Sequence, residues 1–190
     1  MPTGDLVKTY LAYPEWPAIS ICRNFQEGYN LLRSVFNGFM ELEKRPDALD
    51  ILIAKYKSIK ITDYDTAQTI SNLLNYGGYD YFTYCLEIIT GQYAFLEKAT
   101  IEQKIELLSE LFKKQDFREK RISWFYFEGP AFIMARLMYL DNYQSFMEYY
   151  NSSSRIQNFV TWARPIYEEH RTIIISYAKD YFNLLKTQLR

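Results

Sequence analysis

The chain predicts an all-α protein, a single domain over residues 1–190 arranged as a multi-helix array or irregular orthogonal bundle of roughly nine helices. Three observations carry that expectation. Apolar residues recur every three or four positions through most of the 190 residues. The periodic stretches end on Gly, Pro or capping residues. The connections between them are short, and no Gly/Ser-rich linker marks a second domain.

The elements follow in order. Asp5 is placed to cap a short helix that stops before Pro14, and Tyr13-Pro14-Glu15-Trp16-Pro17 reads as a stiff loop, because each Pro fixes its own φ and restricts the residue before it. A long pattern over about 18–45 stacks Cys22, Phe25, Tyr29, Leu32, Phe36 and Phe39 on one face. Gly28 and Gly38 weaken it, so a break or a close helix crossing is expected near Asn37-Gly38. After Pro46, Asp47 caps a helix carrying Leu49, Leu52, Ile53, Tyr56 and Ile59. Asp63 and Asp65 precede a helix ending at Gly77-Gly78, and a further one runs over 80–90 to Gly91.

Thr100 with Gln103 forms the clearest capping box. Behind it Ile101, Ile105, Leu108 and Phe112 make an apolar stripe, widened by Leu107 and Leu111, opposite Glu102, Glu106, Glu110 and Lys113. Asp116 with Glu119 is a second capping box, and 122–127 suits helix or short strand. Pro130 fits the first turn of a helix reaching about Tyr150. Ser154 with Gln157 gives a third box, and Pro165 kinks or splits the last helix.

Composition narrows the chemistry. Eighteen Tyr, thirteen Phe and three Trp supply abundant packing surface, against a single His. The net charge of −1 leaves no overall field toward nucleic acid or an anionic membrane. Cys22 and Cys85 lie far apart in apolar stretches and read as reduced core residues. Residues 1–5 lack the basic-then-apolar pattern of a secretory signal, and no apolar run is long enough for a membrane span. These features give a soluble, cytoplasmic expectation. The chain has no phosphate loop, dinucleotide fingerprint, nucleophile elbow or zinc-protease motif, and one His excludes a multi-histidine metal site. No cofactor and no metal are expected.

Seven residues stand out. Arg136 has Phe132, Ile133, Tyr139 and Leu140 one turn away, so no carboxylate on its own helix pairs with it. If buried, it takes a carboxylate from another helix, Glu87 being one candidate, or faces a cavity suited to an anion; otherwise its stem covers apolar surface while its head reaches water. Glu87 has no basic residue one turn away, and Glu128 follows an aromatic run. Either is a carboxyl whose surroundings could favour its acid form, or the polar edge or cap of a helix. His170, flanked by Ile166, Tyr167, Ile173 and Ile174, is expected to face the core, bonded to a carbonyl or a Tyr hydroxyl, with a general base as the sharper reading. Trp124 follows the basic run Lys113–Arg121, a pairing of charge and rings that single-stranded nucleic acid uses, although the run also reads as a solvated helix end. Tyr149 and Tyr150 flank a loop where rings are expected to be exposed.

The leading expectation is a non-enzymatic helical interaction module that binds a protein or peptide through an aromatic-rich surface. The alternatives are a small-molecule-binding protein or enzyme with an aromatic pocket around Arg136, Glu87 and His170, and nucleic-acid binding through Lys113–Arg121, which the charge balance disfavours. No membrane partner is expected, and a homo-oligomer is left open.

Overall fold

The computed structural model describes residues 1–13, 15, 22–59, 81–118 and 128–189. Among them are eleven helices and no strand, so the chain is all-α. The helix expected after Asp63 and Asp65, the stretch 122–127 and most of the Pro14–Pro17 loop lie outside the described residues.

The first four helices are α1 (Thr3–Leu11), α2 (Phe25–Val35), α3 (Asn37–Lys44) and α4 (Ala48–Ser58). Helix α1 begins two residues before Asp5, which therefore lies in its first turn and does not cap it. The long pattern over 18–45 breaks at Phe36, beside the expected Asn37-Gly38, and α3 turns back on α2. Gly38 permits the close crossing there. A Cβ at that position would lie 2.5 Å from Cε1 and 2.7 Å from the hydroxyl of Tyr10 on α1. Arg33 clamps the turned pair by donating through Nε and Nη2 to the two oxygens of Glu43, at 2.7 Å each, while Tyr29 donates to the same carboxylate. Asp47 precedes α4, yet its carboxylate accepts from Thr3 Oγ1 at 2.7 Å and makes no cap bond.

The second half begins with α5 (Tyr81–Thr90) and the short α6 (Tyr93–Leu96), followed by α7 (Ile101–Arg118), α8 (Gly129–Leu140), α9 (Gln144–Ser152), α10 (Ser154–Trp162) and α11 (Glu168–Gln188). The Thr100–Gln103 box forms as expected, with Gln103 N–H donating to Thr100 Oγ1 and Thr100 N–H to Gln103 Oε1. Asp116 falls inside α7, so no new helix starts there. Helix α8 stops at Leu140 instead of reaching Tyr150. Asn142 takes a left-handed φ of 50°, and α9 restarts after it. Ser153, not Ser154, caps α10 by accepting from Ile156 N–H, and Gln157 donates to the Tyr150 carbonyl. The chain splits over 163–167, around Pro165, where Ala163 has φ 53°.

Helix α8 is the axis of the core. Every residue from Gly129 to Met138 is buried, and α5, α6, α7, α9, α10 and α11 all pack on it. A helix apolar all round can only be stable when surrounded in this way. The aromatic excess is mostly interior, with Tyr10, Tyr29, Tyr56, Tyr181, Phe39, Phe132, Phe146 and Phe159 at 2% exposure or less.

Burial makes the phenols resist ionisation. It pushes Tyr10 up to about 12 from 10.0. It also holds Tyr29 and Tyr181 well above the usual range, helped by the carboxylates of Glu43 and Asp141. A folded-state value above the unfolded one gives stability that is full below pH 10.0 and is lost through about 12. On titration with base, phenolate absorbance and loss of helical circular dichroism are expected to rise together. Phenolate absorbance from all the tyrosines while the helices persist would contradict this burial.

Candidate functional site

Arg136 lies on α8 and is completely buried. Its Nε donates to the Val160 carbonyl at 2.8 Å and its Nη2 to Thr161 at 3.1 Å. Those are carbonyls of the last turn of α10, which lack intrahelical partners. Its Nη1 donates to Gly91 O at 2.7 Å, just past the end of α5. The guanidinium therefore closes two helix C-termini at once. Each such end carries about half a negative charge, so together they offset a unit cation with no carboxylate. Nη2 also donates to Gln26 Oε1 at 2.8 Å, Gln26 Nε2 donates to Gln92 Oε1, and Gln92 Nε2 donates to the Ile88 carbonyl. The rings of Tyr93 and Phe132 flank the cation at 4.3 and 4.1 Å. Burial pulls its pKa down to about 10, leaving it charged at neutral pH. Of the alternatives open for it, neither the candidate carboxylate Glu87 nor a head reaching water applies, and its partners are helix ends, an amide and rings.

A second polar cluster lies where α4, α5, α7 and the start of α8 meet. Glu87 on α5 is completely buried, and Tyr56 of α4 donates to its Oε1 at 2.7 Å. Its carboxylate lies against Gly129, the first residue of α8, where a helix N-terminus favours negative charge. Lys114 of α7 is 3% exposed, and its Nζ lies 4.3 Å from the centroid of the Tyr56 ring. Its one ion pair among the described residues is with Glu110 Oε2 at 3.8 Å. Glu110 also holds Lys113 at 2.7 Å. Burial lowers the pKa of Lys114, against opposing pulls from Glu110 and Glu87. The next residue, Gln115, is 2% exposed, and neither amide atom has a hydrogen-bond partner.

A third group is on the surface of α9–α11. Tyr149 and His170 share a 2.6 Å hydrogen bond between the phenol and Nδ1. His170 is half-buried and stacks on Tyr167, with ring centroids 6.0 Å apart and planes 19° apart. Glu169 Oε1 is 3.9 Å from its Nε2. Tyr167 is 57% exposed and Arg155 lies over its ring at 4.1 Å. Trp162 is exposed at the end of α10.

The seven predicted residues are therefore spread over the molecule. No hydrogen bond, ion pair or ring contact joins any two of Arg136, Glu87 and His170. Glu128 precedes α8 without making a side-chain cap bond, and Arg171 Nη1 is 3.8 Å from it. Tyr149 and Tyr150 lie inside α9 and not beside a loop. Their rings are half-buried, against Tyr177 and His170 for the first and Tyr139 and Phe146 for the second. Trp124 lies outside the described residues. Of the basic run, Lys114 is buried and is not presented to a nucleic-acid backbone, while Lys113 is exposed and paired with Glu110.

Sequence reasoning missed Tyr56, Lys114, Gln115, Trp162 and Tyr167. For Lys114 the signal was present, since it follows Leu107 by seven positions and Leu111 by three, on the core stripe. Among the described residues no three His, Cys, Asp or Glu side chains gather as metal ligands, and no helix is long and apolar enough to cross a membrane. Compared with family models, curated proteins and solved structures, the chain matches none.

Proposed function

We propose that the chain is a cytoplasmic, non-enzymatic helical module that binds a protein or peptide segment on the aromatic surface of α10 and α11. The observation that carries this reading is the exposed Tyr167 ring, stacked on His170 and covered by Arg155. Tyr supplies rigid contact area at low entropic cost. Arg155 and the exposed Arg164 have no carboxylate partner among the described residues. The fitting segment is one that carries an acidic side chain beside an apolar one. The positioning bond from Tyr149 to His170 holds the underside of this surface still.

A photo-crosslinking residue placed at Trp162 tests the proposal. It is expected to capture a defined protein or peptide, and the double substitution Tyr167→Ala with Arg155→Ala is expected to abolish capture while the circular dichroism stays unchanged. Added salt should weaken it. Capture that survives the double substitution, or that yields only a second copy of this chain, overturns the reading.

A further inference from the structure

The geometry points to Lys114 as a reactive amine that captures a small carbonyl compound, an aldehyde or ketone, as an imine in the interior where α4, α5 and α7 meet. This is independent of the surface proposed for partner binding.

Four observations support it. Lys114 is 3% exposed, a rare state for a lysine that no carboxylate holds at hydrogen-bond length. Its ammonium is met by the face of Tyr56 and by Glu110 at 3.8 Å, a carboxylate already shared with Lys113. Tyr56 is itself fixed by its bond to Glu87, so the wall beside the amine is rigid. Gln115, one residue on, holds an unspent buried amide able to bond a polar substituent of the captured molecule. Desolvation acts in the same direction, favouring the neutral amine, which is the nucleophilic form.

The chemistry balances without an oxidant or reductant. Glu110 takes one proton from the ammonium. The amine lone pair then forms a bond to the carbonyl carbon while Glu110 returns that proton to the carbonyl oxygen, and Glu110 takes a second proton from the nitrogen, giving a neutral carbinolamine. Glu110 then protonates the hydroxyl, which leaves as water as the nitrogen lone pair forms the carbon–nitrogen double bond. The last proton on the resulting iminium nitrogen passes to solvent, so that one proton is released overall. Hydrolysis reverses each step, so bound carbonyl compound and free amine exchange.

The full chain treated with limiting propanal and cyanoborohydride at neutral pH, then digested and mapped by mass spectrometry, tests this. The reductant belongs to the assay alone and traps the imine as a secondary amine. Lys114 is expected to be modified several-fold faster than the exposed Lys8, Lys55 and Lys98. Lys114→Arg keeps the charge, forms no imine, and should remove the fast phase alone. Modification of the exposed lysines while Lys114 stays unlabelled in the wild-type chain overturns the proposal, whether or not the variant folds.

Discussion

Replacing Arg136 with methionine is expected to cost about 3–5 kcal/mol, a large fraction of the stability of an ordinary domain. The aliphatic stem is conserved in volume, so the loss is polar. Three backbone carbonyls, at Gly91, Val160 and Thr161, and the Gln26 amide oxygen lose their donor, and the bonds to Gly91 and Val160 are buried. Each stranded acceptor costs roughly 1–3 kcal/mol, partly recovered by relaxation. Arg136→Lys keeps the charge yet cannot span acceptors from α2, α5 and α10 with one compact ammonium, so it should fall between wild type and methionine. Chemical denaturation with matched slopes measures both. A methionine variant as stable as wild type would show that the two helix ends do not depend on the guanidinium.

Gly129→Ala is expected to destabilise by about 3 kcal/mol, a drop of roughly 6–12 °C in melting temperature. The added methyl would overlap the Glu87 carboxylate and come within 2.9 Å of the Glu87 Cβ. A flexible surface side chain would swing aside. Glu87 has no such freedom, being fully buried and tied to Tyr56. The cause can be checked by a double-mutant cycle, because Glu87→Ala removes the carboxylate that the methyl overlaps and leaves only the Cβ contact. Gly129→Ala should cost markedly less in that background, and additive effects would mean that the glycine is needed for some other reason.

The helical class was legible because period and punctuation agree over most of the chain. The Thr100–Gln103 box and the break beside Gly38 are both local signals, and both appear where the residues place them. The interruption at Asp141-Asn142 was not legible, since neither residue is Gly or Pro and Asn reaches the left-handed region by tolerance alone. Arg136 could be seen to lack a carboxylate on its own helix. Its actual partners are the ends of α5 and α10, which become neighbours only when distant segments dock. Lys114 shows the opposite failure, in which its charge obscured the apolar register it shares with Leu107 and Leu111. Tyr149 and Tyr167 exchange places for a plain reason. The chain splits at 163–167 and leaves Tyr167 outward, while Tyr149 is covered by α11.

The contacts of Arg136 tie together residues 26, 91, 136, 160 and 161. No amino-terminal fragment ending before α10 can complete this knot, because two of its acceptors have not yet been made. A nascent chain that has made Arg136 but not yet α10 therefore carries an incompletely satisfied cation and must keep that part of its interior open to water. Final closure falls to the last quarter of the molecule, which makes the centre of the fold one of the last regions to become dry.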